Sequence, residues 1–203
     1  MQRSIQHDLV LAHDNPYVDL SLEGEAPSLL RCGHWRERGI EFFSLSKGWC
    51  LGGFRLAFAV GAAPLIQALR QLKAVVDFNQ CLALQRGAVV ALDQHADWPS
   101  RLLPVYRQRR DRMRQALVDL GWIVPKPSMA LYLWMPIPEW ASARGWSDEQ
   151  LASELLEHCG VALTPGSGFG DAGLGWLRLA LVRPVEELEN AVQRLHPWWE
   201  RHR

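Results

Sequence analysis

The stretch Phe42-Phe43-Ser44-Leu45-Ser46-Lys47-Gly48-Trp49-Cys50-Leu51-Gly52-Gly53-Phe54-Arg55 places a lysine at the end of a short apolar strand and an arginine eight residues later. Lysine is scarce in this chain. Lys47, Lys73 and Lys126 stand against nineteen arginines, and Lys47 alone sits in a segment built like a buried site. Partial burial and a neighbouring cation both favour a neutral amine, the form that condenses with an aldehyde to give a Schiff base. Ser44 and Ser46, at alternating positions, offer hydroxyls on one face of an extended chain. Arg55 offers a planar fork for two phosphate oxygens. Gly48, Gly52 and Gly53 let the backbone approach a ligand closely. The same spacing also suits an ordinary polar turn between two strands, and the residues alone leave both readings open.

Upstream, Leu9-Val10-Leu11-Ala12 reads as a buried strand that delivers His13-Asp14-Asn15-Pro16-Tyr17 to its carboxyl end. Ligands of open α/β sheets collect at such ends. An aspartate under a pyridine nitrogen keeps that nitrogen protonated and makes the ring an electron sink, and a tyrosine hydroxyl three residues on can reach the ring's phenolic oxygen. The plainer alternative is that Asp14 caps a turn stiffened by Pro16.

Taken together, these residues resemble the fold-type I, pyridoxal-phosphate-dependent aminotransferases of class I/II. In that family an Asp-x-x-Tyr pair, a Ser-x-Ser/Ala-Lys segment and an arginine eight residues past the lysine recur in this order. Asp14, Tyr17, Ser44, Ser46, Lys47 and Arg55 fall on them. The resemblance implies that Lys47 forms the Schiff base with the cofactor and later shuttles a proton. It implies that Asp14 pairs with the pyridine nitrogen, Tyr17 with the phenolic oxygen, and Ser44, Ser46 and Arg55 with the phosphate.

The resemblance continues downstream. Lys126-Pro127-Ser128-Met129-Ala130-Leu131-Tyr132-Leu133-Trp134 is similar to the strand that opens the family's small domain, with Met129 or Ala130 where a glycine is often found. Pro165-Gly166-Ser167-Gly168-Phe169-Gly170 resembles its PGxxFG loop, and Trp176-Leu177-Arg178-Leu179-Ala180-Leu181 the strand whose arginine grips the substrate α-carboxylate. A bidentate guanidinium such as Arg178 fixes a carboxylate's plane as well as its charge. Phe78-Asn79 resembles a contact made with the partner subunit in some members, which puts Asn79 beside Arg178 among the substrate-binding positions.

The implied fold is α/β: part of an aspartate-aminotransferase-like large domain over residues 1–100, then a small α+β C-terminal domain over 101–203 that begins with a bridging helix. The implied activity is pyridoxal-phosphate-dependent transfer of an amino group between an α-amino acid and a 2-oxo acid, with a homodimer as the complete protein. A β-lyase or decarboxylase would use the same cofactor, and a non-catalytic remnant that needs a partner chain is the reading from outside enzymology. Complete members carry a further half-sheet before the Asp-x-x-Tyr strand, so the functional unit is expected to be longer than this chain or completed by another. Trp49 and Tyr132 are candidates to shape the side-chain pocket or to serve the core.

Composition agrees with a globular protein. A chain of 203 residues with 48% hydrophobic content can bury a sizeable core. Net charge is zero, which gives no footprint for nucleic acid. The run holding Arg107, Arg109, Arg110, Arg112 and Arg114 carries an apolar stripe of Leu102, Leu103, Val105, Tyr106, Met113 and Leu117, and reads as a solvated amphipathic helix. Cys32, Cys50, Cys81 and Cys159 lack metal or disulfide spacing, and the seven histidines are scattered, so no metal site is expected. Reduced thiols and the lack of a long apolar stretch imply a cytoplasmic location and no membrane partner.

Predicted strands lie near 8–13, 40–46, 54–60, 131–136, 161–163 and 176–182. Predicted helices lie near 63–76, 79–96, 101–120, 147–159 and 184–202. Ser100 is a candidate N-cap and Gly121 a candidate stop for the third helix.

Overall fold

The β-branched and aromatic residues of Gly39-Ile40-Glu41-Phe42-Phe43-Ser44 suit a pleated, half-buried surface, and they form strand β2 (Gly39–Ser44) at the centre of a three-stranded sheet. Strand β1 (Leu11–Asp14) runs parallel to it, with Asp14 opposite Phe42. Strand β3 (Ala57–Gly61) runs antiparallel on the other side, with Ala57 opposite Ser44. Because β1 and β2 are parallel, their carboxyl ends face the same way, and the two loops that leave Asp14 and Ser44 start as neighbours. Gly61 is obligatory: a Cβ there would lie 2.7 Å from the Gly39 carbonyl oxygen.

The computed structural model describes all 203 residues, which divide into two units, Met1–Leu103 and Pro104–Arg203. The first also holds α1 (Gln2–Gln6), α2 (Trp35–Arg38), α3 (Ala63–Val76) and α4 (Leu82–Gln94). Pro64 in the first turn of α3 needs no hydrogen-bond partner there. No residue of α3 is buried, and α4 buries only Ala88, which packs on Leu45 and Leu56. Helix α5 (Trp98–Asp119) contains the boundary between the units.

In the second unit β6 (Trp176–Ala180) lies between β4 (Tyr132–Pro136) and β5 (Thr164–Pro165), all antiparallel. Helices α6 (Glu139–Ala143), α7 (Asp148–Cys159) and α8 (Val185–Glu200) complete it. Leu133, Met135, Leu151, Leu155, Leu177 and Leu195 are fully buried in one continuous core. Trp122 and Trp199 sit within it with ring centroids 4.6 Å apart. Each indole is satisfied: Trp122 donates to the Pro136 carbonyl and Trp199 to that of Leu120. Helix α7 starts where the Ser147 hydroxyl accepts the Gln150 N–H and stops at left-handed Gly160.

Three expectations change. The strand predicted at 161–163 forms at Thr164–Pro165 instead, because the chain first leaves α7 through Gly160 and buries Val161. Helix α5 begins at Trp98, with Pro99 in its first turn, so Ser100 is not its cap. Gly121, at φ +83°, does close that helix, its N–H bonding to the Val118 carbonyl. The arginine run is not simply solvated: Arg110 is buried and donates to the Pro127 carbonyl, while Arg109 and Arg114 reach the carbonyls of Leu181 and Val124. No helix is long and apolar enough to cross a membrane.

Candidate functional site

Lys47 follows β2 in a loop whose shape comes from its own backbone. The Leu45 N–H bonds to the Leu56 carbonyl, that of Leu51 to Leu45, and that of Cys50 to Lys47. The Ser44 hydroxyl accepts the Ser46 N–H at 3.2 Å, so it turns the chain as well as offering a donor. Arg55 ends the segment in a left-handed conformation, φ +53°, exposed, with one nitrogen on the Gly52 carbonyl and the remainder of its fork unused.

Asp19 joins this loop to the one after β1. It follows Tyr17 in a short helical turn, Val18–Leu20, and its carboxylate accepts the Trp49 indole N–H at 3.1 Å. Gly48 is the reason the loops can close: a Cβ there would lie 2.5 Å from Asp19 Cβ. Burial raises the Asp19 pKa above its usual value, and the Trp49 bond only partly opposes this. With the loops so joined, Lys47 Nζ stands over the Tyr17 ring, 6.0 Å from its centroid.

Beneath the site lies Glu41, fully buried in mid-strand opposite His13. One of its carboxylate oxygens accepts from the Asn15 amide at 2.7 Å and faces His13 Nδ1 at 3.4 Å. The other accepts from the Ser28 hydroxyl and the Leu30 N–H. Burial raises the Glu41 pKa, but the bonds from Asn15, Ser28 and Leu30 and the charge of His13 outweigh it, so the net shift is downward. One carboxylate thus fastens both ends of the loop that carries Tyr17 and Asp19.

In the second unit, β6 presents Arg178 between two rings. Its guanidinium carbon is 4.5 Å from the Tyr132 centroid and 4.6 Å from that of Phe169. Nη2 reaches the Thr164 hydroxyl at 3.5 Å. Nε is buried and donates to nothing in the chain. A half-buried guanidinium held between two rings, with an idle donor, suits a planar anion.

The expected residues therefore fall into two groups. Asp14, Tyr17, Ser44, Ser46, Lys47 and Arg55 gather on two adjoining loops of the first unit. Asn79 lies exposed between α3 and α4, and Arg178 belongs to the second unit. The Asp14 carboxylate forms no ion pair or hydrogen bond, and the Lys47 amine stands 6.0 Å from the centroid of the tyrosine ring. An idle carboxylate, an amine, a largely free guanidinium and serine hydroxyls are the donor set that pyridoxal phosphate needs, so the residues present fit that group. Asn15 and Phe169 stand inside motifs legible in the sequence, but nothing there marks their roles, and Asp19, Glu41 and Asp148 lie outside those motifs. For Glu41 a signal existed, a carboxylate inside the run Ile40-Glu41-Phe42-Phe43.

These features define a partial aspartate-aminotransferase-like large domain followed by a small α+β domain. Residues 2–195 match the family described as aminotransferase class I and II, and the chain belongs to that family. It is 40% identical over 191 residues to the LL-diaminopimelate aminotransferase of Dehalococcoides mccartyi, covering 94% of this chain and 48% of that protein. Among solved structures it is similar to a probable N-succinyldiaminopimelate aminotransferase from Thermus thermophilus, with TM-score 0.87 and 43% identity over 96% of this chain and 51% of that one. A double mutant of Thermus thermophilus aspartate aminotransferase matches at TM-score 0.87 and 27% identity, over 97% and 50%. The chain spans about half the length of the relatives it matches.

Proposed function

We propose that this chain carries the lysine-bearing half of a pyridoxal-phosphate-dependent aminotransferase acting between an α-amino acid and a 2-oxo acid. The observation that carries this reading is Lys47 Nζ over the Tyr17 ring, with the idle carboxylate of Asp14 and the open fork of Arg55 on the same two loops. Bound pyridoxal phosphate supplies an aldehyde for the amine and a protonated ring that withdraws electrons from the substrate α-carbon. Lys47 would hold that aldehyde through its amine and would move a proton at the substrate α-carbon. Asp14 holds the proton on the ring nitrogen, and Tyr17 bonds the phenolic oxygen. Ser44, Ser46 and Arg55 hold the phosphate. Arg178 orients the substrate α-carboxylate, and Asn79 contributes a further polar contact on the substrate side. The names of the relatives make LL-diaminopimelate the first amino acid to test.

The decisive experiment is the visible absorption spectrum of the chain with added pyridoxal phosphate, with Lys47→Ala as control. A yellow band absent from the variant, and altered by LL-diaminopimelate, is expected. A band equally strong in Lys47→Ala would sink the assignment.

A second reading has its own observation. Leu9 and Val10 just before β1, Leu11 and Phe58 on the first sheet, and Val75 and Val76 on α3 are exposed. Apolar surface of this kind favours a site that binds cofactor only when further polypeptide covers it. A yellow band that forms only on co-expression with the other half of the Dehalococcoides relative would support it.

A further inference from the structure

We infer that Asp148 is a positioning residue for Arg178, acting through the Pro165–Gly175 loop and the ring of Phe169. This rests on the reading of Arg178 as the carboxylate-binding residue. Asp148 is the first residue of α7 and is 1% exposed. Its role is not to cap that helix, since the Ser147 hydroxyl already takes the Gln150 N–H. Instead its two oxygens reach outward to the loop: one accepts the Ser167 N–H at 2.8 Å and the other the Gly175 N–H at 3.2 Å. Beside these anchor points the loop closes on itself. A Cβ on Gly166 would lie 2.2 Å from the Gly173 carbonyl oxygen, and one on Gly173 would lie 2.0 Å from that of Gly166.

Phe169 rides on this closed loop. Its side chain is 53% exposed, so burial alone does not fix it. It meets the Trp134 ring edge-on, centroids 5.7 Å apart, and covers one side of the Arg178 guanidinium, whose other side lies on Tyr132. Trp134 in turn pairs with Arg178 in the strand register. Asp148 therefore touches neither Arg178 nor any ligand of it. By fixing Ser167 and Gly175 it fixes where Phe169 stands, and Phe169 covers the guanidinium on the side where Nε is buried and idle.

The test is proton–nitrogen NMR of the full chain, following the Arg178 Nε–H, assigned by its loss in Arg178→Lys. Ring currents from Tyr132 and Phe169 displace this proton from the position of an exposed arginine. Phe169→Leu is expected to return it part of the way. Asp148→Asn is expected to move it in the same direction by a comparable amount, and the double variant to add nothing further. An unmoved proton in Asp148→Asn, or additive shifts in the double variant, would overturn the inference. Acid titration of the unsubstituted chain gives the same answer without relying on the fold of a variant. The Nε–H should follow the Asp148 carboxyl carbon with one midpoint, while Glu149 and Asp171, the neighbouring carboxylates of helix and loop, are tracked in the same spectra. Separate midpoints for Asp148 and Arg178 would refute it. Titration with propionate then separates the two claims. Propionate should perturb the Nε–H, with a Kd at least threefold weaker in Asp148→Asn. No perturbation in the unsubstituted chain would remove the carboxylate role of Arg178, while the free-protein shifts still decide the role of Asp148.

Discussion

The two units bury their apolar residues in opposite styles. Residues 104–203 enclose a continuous core in which Leu133, Met135, Leu177 and Leu195 are fully buried and two tryptophans pack against each other. In residues 1–103 the segment read as a buried strand is open instead, with Leu9 and Val10 exposed before β1 and Leu11 exposed within it, and α3 buries nothing. Both nonetheless hold their functional loops by the same device, a buried carboxylate that accepts N–H groups from both ends of a loop, Glu41 in one and Asp148 in the other. Loop geometry thus depends on local polar clamps rather than on how complete the surrounding core is.

The largest test of this contrast is Leu177→Ala. Leu177 lies on β6 between β4 and β5 with its side chain fully buried in the core, and truncation is expected to cost about 3–5 kcal/mol from lost transfer energy and the cavity left behind. Urea unfolding followed by tryptophan fluorescence measures it, since Trp122, Trp198 and Trp199 report on that core. A loss below about 1 kcal/mol would show that the second unit is not the cooperative body its packing implies.

Glu41→Ala comes next. It strips the acceptor from the Asn15 amide, the Ser28 hydroxyl and the Leu30 N–H together, and donors left buried without partners cost about 1–3 kcal/mol. The loss should be concentrated in residues 15–30, seen as faster amide exchange there with protection in β6 unchanged. Equal loss of protection in both units would break the distinction drawn between them.

What the sequence discloses follows the same division between local and distant causes. Lys47, its serines and Arg55 can be grouped from the sequence because they lie close together along it, at the end of β2 and in the segment that follows, and helix α3 matches its predicted limits because Pro64 starts it and its apolar periodicity continues to Val76. Glu41, Asp19 and Asp148 are less so, because their partners lie 11 to 30 residues away and only folding brings them together. Arg110 shows the limit from the other side: in a run of five arginines nothing local marks the one that turns inward to the Pro127 carbonyl. Strand β5 forms three residues beyond its expected start because Gly160 releases the chain before it can pair.

Acid should affect the two clamps in a related but unequal way. Glu41 titrates below its usual 4.5 and Asp148 below its usual 3.8. A depressed folded-state pKa contributes stability that is complete above the unfolded value and is lost as pH falls through the folded one. Both clamps therefore weaken below about pH 4. In the first unit Asp19 opposes this, since its raised pKa is a penalty that disappears on protonation. Stability of the Ser167–Gly175 loop should decline steadily with acid, and that of the Tyr17 loop less steeply. Exchange rates of the Ser167 and Leu30 amides between pH 6 and 3 compare them directly, and the opposite ranking would mean that Asp19 does not act as described.

The smallest expected effect completes the contrast. Val75 and Val76, at 82% and 72% exposure, stand free on α3, and serine has nearly the helix propensity of valine. Val75→Ser and Val76→Ser should each leave the stability of this chain within about 0.5 kcal/mol. If further polypeptide covers α3, the same substitutions remove apolar area from a buried face and should each cost about 1–2 kcal/mol in the covered form. Melting each variant alone and after co-expression with the other half of the Dehalococcoides relative measures both numbers. A difference that appears only on co-expression would show that α3 is an interface, whereas equal small effects in both states would make the valines an ordinary exposed surface and leave the open first unit stable as it stands.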